Sequence, residues 1–198
     1  MANIECKIDE EKTVAFSGQY LVSSGILTGW TESEINQQIW RRSEQLAGLL
    51  YQRGYDTFLC SLSAGFDLCA ASAILSMKRF GGLSNIRLIV FVTSFEHERP
   101  YPPPYSQIYM DVFESADAQV VIRERHPYGC VRNKKSALLG NSSMLVTYYD
   151  GTLPYQTHII RAAKSQNKII FNLCSTELGR SYNRKVDRHL QEEILAIR

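Results

Sequence analysis

The chain has 198 residues, enough to close one sizeable hydrophobic core and too few to make two comfortable domains the expectation. Hydrophobic residues make up 44% and charged residues 21% of it, an ordinary globular balance that excludes disordered, collagen-like and fibrous classes. The formal net charge is +2 with both signs spread along the chain, so composition gives no electrostatic argument for a polyanion and leaves nucleic acid unsupported as a partner.

Residues 1–13 are polar and acidic and lack the basic start and apolar middle of a secretory signal, so a cytoplasmic location is expected. Thr13, Val14, Ala15, Phe16 and Ser17 are β-branched, apolar or small and stop at Gly18, which predicts a buried first strand running into a tight turn. Thr31, Glu32, Ser33 and Glu34 have capping-box spacing, and Ile35, Ile39, Leu46, Leu49 and Leu50 recur at helical intervals, predicting a long helix to about Arg53. A second strand over 56–60 leads into the small, polar loop Ser61, Leu62, Ser63, Ala64, Gly65, Phe66 and Asp67. An alanine-rich helix over 68–80 follows, stopped by Gly81 and Gly82.

Residues 86–92 form the strongest strand signal, and the loop over 93–105 carries Glu96, His97, Glu98, Arg99 and four prolines that forbid regular pairing. A helix over 106–116, a strand over 118–122 and a helix over 132–139 ending at Gly140 continue the alternation. A strand over 143–148, a helix from Pro154 through Ala163 and a strand over 168–173 follow. Val186, Leu190, Ile194 and Leu195 give the stripe of a C-terminal helix over about 181–196. Six strands alternating with helices, without a hairpin signal, predict a single α/β domain over 1–198 with its core at about 13–173. The expected architecture is a Rossmann-like three-layer fold with a mostly parallel six-stranded sheet and helices on both faces. The longest apolar runs are strand-sized, far below the roughly 20 residues of a membrane-spanning helix, so no membrane partner is expected.

Open parallel sheets bind ligands outside the carboxyl ends of their strands, where loops and helix N-termini offer backbone donors to anions. The candidate ligand-binding residues are therefore Ser17, Gly18, Gln19 and Tyr20 after the first strand and Ser61, Ser63, Gly65 and Asp67 after the second. Phe95 and Glu96 follow the third strand, and Asp150, Gly151 and Thr152 the fifth, with Arg132 and Asn133 where a helix begins. Each has a plain structural alternative. Gly18 either takes a positive φ in its turn or lets a ligand approach closely. Asp67 either binds a ribose hydroxyl or favours the first turn of its helix by charge. Arg132 and Asn133 either contact phosphate or carboxylate or form an exposed helix start, and Tyr101 and Tyr105 either stack on a base or pack their loop. Cys6, Cys60, Cys69, Cys130 and Cys174 form no CxxC pair, and His97 and His126 lack a partner at ligand spacing, so reduced thiols and no metal are expected.

Taken in order, the Thr13 to Gly18 strand and turn, Ser63 to Asp67 before the alanine-rich helix, the proline-rich loop after Phe91 and Val92, and Val131, Arg132 and Asn133 form a recognisable series. With the strand through Tyr148 and Asp150, Gly151 and Thr152, it resembles the YpsA-like family of the SLOG superfamily over about 13–173. That superfamily is Rossmann-like and includes the LOG-type nucleoside monophosphate phosphoribohydrolases and the DNA-processing protein DprA. The resemblance thus implies a nucleotide or ADP-ribose-like ligand, and a homodimer. The chain departs from the pattern at Gln19 and Tyr20, where the branch has histidine and arginine, and at Ser61 in place of glycine. Tyr155, Gln156 and Thr157 replace a Gly-Gly-Thr step, and the glutamate that follows in the phosphoribohydrolases has no counterpart, so that activity is not expected.

The leading expectation is a sensing or regulatory protein that binds a small nucleotide-like molecule without turning it over. A hydrolase of an N-glycosidic or phosphoester bond, with Glu96 or Asp67 as base and Arg132 stabilising charge, is a second reading. An interaction module using the 101–105 loop or a basic helix with Arg180, Arg184, Lys185 and Arg188 is a third.

Overall fold

Strands buried on both faces are apolar at every position rather than at alternate ones, and Thr13–Phe16 (β1), Thr57–Cys60 (β2) and Met144–Thr147 (β5) are buried throughout. A computed structural model of the chain describes residues 7–19, 32–93, 105–122, 127–151 and 157–197. Arg87–Val92 (β3), Ala118–Val121 (β4) and Ile169–Asn172 (β6) complete a six-stranded sheet of order β4-β3-β2-β1-β5-β6 in which every pairing is parallel. The expected mostly parallel sheet is thus wholly parallel among the described residues. Its edge strand β4 keeps only partly buried or exposed side chains.

Seven α-helices are described: Glu32–Gln52 (α1), Phe66–Phe80 (α2), Tyr105–Ser115 (α3), Pro127–Gly140 (α4), His158–Ser165 (α5), Glu177–Arg180 (α6) and Arg188–Leu195 (α7). They divide between the two faces of the sheet, as strand alternation requires. Val14, Phe16, Phe58 and Val146 point to one side, where Ile39, Leu46 and Leu50 of α1, Ile74 of α2, Val112 of α3 and Ile194 of α7 cover them. Ala15, Leu59, Ile89 and Leu145 point to the other, beneath Leu138 and Leu139 of α4 and Ile159, Ile160 and Ala163 of α5.

The C-terminal segment differs from the continuous helix expected over 181–196. Lys185 has φ +58, Arg184 forms an antiparallel bridge with Ile170, and the helix begins only after Asp187, whose Oδ1 accepts the Leu190 amide at 2.9 Å. The apolar spacing at 186, 190 and 194 is compatible with a helix starting earlier. The bridge to β6 and the Asp187 cap place the start. Cys60, Cys69 and Cys174 are free thiols. No described helix is long and apolar enough to cross a membrane.

Sheet order positions the site. From β1 the chain steps outward through β2 and β3 to β4, then returns to add β5 and β6 on the opposite side of β1. The helix that follows β1, α1, covers one face of the sheet and the helix that follows β5, α5, covers the other, so the switch point of the sheet lies between β1 and β5.

Candidate functional site

Past the last residue of β1 the backbone stays beside the β5 strand: the Ser17 amide donates to Val146 O at 3.1 Å and the Gln19 amide to Tyr148 O at 3.1 Å. Gln19 also bridges the seam, its Oε1 accepting the Asp150 amide at 3.3 Å and its carbonyl accepting the Phe66 amide at 3.3 Å. Ser17, Gln19, Asp150 and Asp67 are all nearly fully buried. The first, second and fifth loops are therefore one hydrogen-bonded unit.

Asp67 is its centre. Oδ1 accepts the Gly18 amide at 2.7 Å, and Oδ2 accepts the Ser17 hydroxyl at 3.3 Å and the Ser61 hydroxyl. Burial raises the Asp67 pKa, opposed by the bonds from Ser61 and Gly18 and by the charges of Lys134 and Lys135. The carboxylate thus joins the β1 turn to the β2 loop, the first-turn placement expected from sequence with a longer-range role added.

Gly18 is small for a reason that sequence left open. A Cβ there would lie 2.6 Å from Phe66 Cδ1 and 2.9 Å from the Tyr148 amide nitrogen, so close packing of protein against protein requires the glycine. Gly65 serves the chain direction instead: at φ 98 and ψ −132 it turns the β2 loop into α2, a conformation essentially restricted to glycine.

The residue that sequence reasoning missed is Lys134. Its side chain leaves α4 and enters the β2 loop, where Nζ donates to Ser63 Oγ at 3.1 Å and to Ser61 O at 3.3 Å. It is 1% exposed, and burial lowers its pKa to about 8 against the opposing attraction of Asp67. A signal was present: Lys134 lies four residues before Leu138, on the apolar stripe of its helix.

Arg132 and Asn133, two and one residues earlier, are exposed and do not join this unit. Arg132 lines a separate groove of about 590 Å³ between α4 and α5, with Lys135, Ser136 and His158 along it and Leu139, Ile159 and Ala162 among its walls. Gly151, at φ 94, follows Asp150. Tyr20, Phe95, Glu96, His97, Tyr101, His126, Thr152, Tyr155 and Gln156 lie outside the described residues. Among the described residues, no three His, Cys, Asp or Glu side chains gather at metal-binding range.

A parallel sheet covered on both faces, with its loops joined at the β1/β5 switch point, defines a Rossmann-like α/β protein. Among solved structures, the chain is similar in fold to DNA processing protein A from Helicobacter pylori, whose structure was described for its single-stranded DNA binding mode. The TM-score is 0.57 at 12% identity, covering 92% of this chain and 78% of that one. No protein-family model matches the chain, and no curated protein matches it. The expectation that nucleic acid is unsupported is corrected by this likeness, because the fold is shared with a protein described as binding single-stranded DNA. Net charge averages over the surface, whereas a polyanion contacts only a local patch, so a value of +2 does not decide the question.

Proposed function

We propose that the chain binds a nucleotide unit in the crevice between the β1 and β5 loops, in keeping with the YpsA-like resemblance of its sequence and the homodimer that resemblance implies. The observation that carries the reading is the switch point itself, where Gln19 and Asp150 face one another across the seam and Asp67 fixes the floor. Pre-organised backbone at such a crevice holds a ligand at small entropic cost. Free nucleotides, ADP-ribose and phosphosugars are the probes. Selective elevation of the melting temperature by one class supports the reading, and an unchanged melting temperature across all of them overturns it.

The fold likeness favours a second reading, in which the nucleotide belongs to a single-stranded nucleic acid. The α4/α5 groove suits a phosphate backbone, since Arg132 and Lys135 line it, His158 adds a ring, and Arg161 is exposed beside it, 3.1 Å from His158 Nδ1. Anisotropy of a labelled oligothymidylate measures this directly. Arg132→Glu with Lys135→Glu should abolish binding, and replacing either cation alone by Ala should reduce the salt slope by about 0.7. Binding indifferent to these changes removes the groove from the proposal.

A further inference from the structure

We infer that Ser63 is an activated nucleophile with Lys134 as its general base, and that the pair attacks carboxylic esters. This goes beyond ligand binding and does not depend on it.

The local architecture is that of a presented serine. Ser61, Leu62, Ser63, Ala64 and Gly65 connect the end of β2 directly to α2. Strand, sharp turn and helix, with glycine two positions after the serine, lift a hydroxyl above the carboxyl end of a parallel sheet. Leu62, not a glycine, takes φ 51 immediately before Ser63, backbone strain at the turn that sets the serine's position. Ser63 is partly exposed, whereas Ser61 and Leu62 are buried. Of the two serines, Ser63 is the more exposed.

Once the amine is neutral the Ser63 proton has two acceptors in reach, Ser61 Oγ and Lys134 Nζ, and of these only the amine is basic enough to take it in a reaction. Ser61 gives its only hydroxyl proton to Asp67 Oδ2, so at 3.0 Å from Ser63 Oγ it can only accept. Protonated Lys134 donates to Ser63 Oγ at 3.1 Å; neutral Lys134 turns a lone pair to the same atom and accepts from it. Among the described residues, the charged groups that act on the amine are Asp67 on α2 and Lys135 on its own helix; the Cys60 thiol, which acts on Asp67, is kept protonated by burial. Burial prevails over Asp67 and brings the Lys134 pKa to about 8, so roughly a tenth of the amine is neutral at pH 7.

Ser63 Oγ bonds to the carbonyl carbon while its proton passes to Lys134 Nζ, and the carbonyl oxygen takes the negative charge near the positive end of the α2 dipole. Collapse breaks the carbon–oxygen bond to the alcohol, which leaves with the proton held by Lys134. Water, deprotonated by Lys134, then releases the carboxylate and restores Ser63. A fluorophosphonate follows the first half of this path: an oxygen–phosphorus bond forms, the phosphorus–fluorine bond breaks, and fluoride leaves.

The test treats the full chain with an alkyl fluorophosphonate and maps the adduct by peptide mass spectrometry, alongside p-nitrophenyl acetate hydrolysis. Adduct on Ser63, absent in Ser63→Ala, is expected, with a labelling rate that rises about tenfold from pH 7 to pH 9 as the amine loses its proton. Lys134→Arg keeps a buried charge without a usable base and should slow labelling by about 10²-fold or more. No Ser63 adduct on the folded wild type overturns the proposal. So does labelling of wild type that is flat between pH 7 and 9, a result that stands even where Lys134→Arg fails to fold. Failure of nucleotide or oligonucleotide binding leaves these readouts untouched.

Discussion

The Gly18 amide donates to Asp67 Oδ1 at 2.7 Å, tying together two loops 49 residues apart in the chain. The same carboxylate accepts from Ser17 and Ser61 and sits within the field of Lys134. Asp67→Ala therefore strands two hydroxyls and an amide and leaves a buried ammonium without its counter-charge. Loss of about 3–5 kcal/mol is expected, read as a lower urea midpoint at unchanged slope. A stability loss below 1 kcal/mol would show that the carboxylate is free for ligand and not committed to the fold.

Lys134 makes stability depend on pH in a definite direction. Its folded pKa, about 8, lies below the ordinary lysine value of 10.5, so between these limits the unfolded chain binds a proton that the native protein does not. Stability due to this group is complete above 10.5 and is lost as pH falls through 8. The full swing is about 3 kcal/mol. Lys134→Met supplies the reference. Wild type minus variant should grow more favourable from pH 8 to 10, with the buried Tyr148, whose pKa is raised by burial, cancelling between the two proteins. A flat difference across that range would mean that Lys134 titrates as an exposed lysine.

The strand and helix order was legible because burial on both faces leaves continuous apolar runs such as Leu88 to Val92, and because Gly81 and Gly140 stand at helix ends. The gathering of the first, second and fifth loops at one end of the sheet was legible from the same order, since parallel strands deliver their following loops to one edge. What periodicity cannot show is a cation occupying an apolar position. Arg42, between Ile39 and Leu46 on the buried stripe of α1, and Lys134, four residues before Leu138 on α4, are both nearly fully buried, and each binds carbonyls supplied by segments distant in sequence. A hydropathy pattern scores such residues as interruptions. Their partners exist only once the chain has closed.

Gly18 offers a separate test of the loop unit. Gly18→Ala places a methyl group against the Phe66 ring and the Tyr148 backbone. The ring can turn or be shortened, but the β5 backbone cannot withdraw without loosening the bond from the Gln19 amide to Tyr148 O. The cost should be about 1–3 kcal/mol. Phe66→Leu combined with Gly18→Ala should recover part of it and not all, a coupling measurable in a double-mutant cycle of melting curves. Complete recovery would place the whole conflict in the ring, and additive losses would show that the ring is not the obstacle.

Arg42 joins three parts of the chain through one guanidinium. Its Nη1 donates to Leu173 O at 2.6 Å just past β6, Nη2 to Leu195 O at 2.8 Å, and Nε to Ile197 O at 3.0 Å. Leu195 is the last residue of α7, so two of these acceptors lie at a helix C-terminus, where carbonyls have no intrahelical donor and the helix dipole favours a cation. Burial lowers the Arg42 pKa to about 10, still well above neutrality, so the group stays charged at physiological pH. Arg42→Leu preserves much of the apolar stem while stranding three carbonyls, at about 1–3 kcal/mol each. The loss should concentrate in α7, whose amides are expected to exchange with deuterium faster than those of α2, as the helix undocks before the sheet opens. Arg42→Lys separates charge from geometry: one ammonium cannot reproduce the planar fork that reaches three separated oxygens, so α7 protection should be restored only in part. Full restoration by lysine would make the charge at the α7 terminus sufficient, and uniform exchange across the whole chain in Arg42→Leu would show that α7 has no separate docking step.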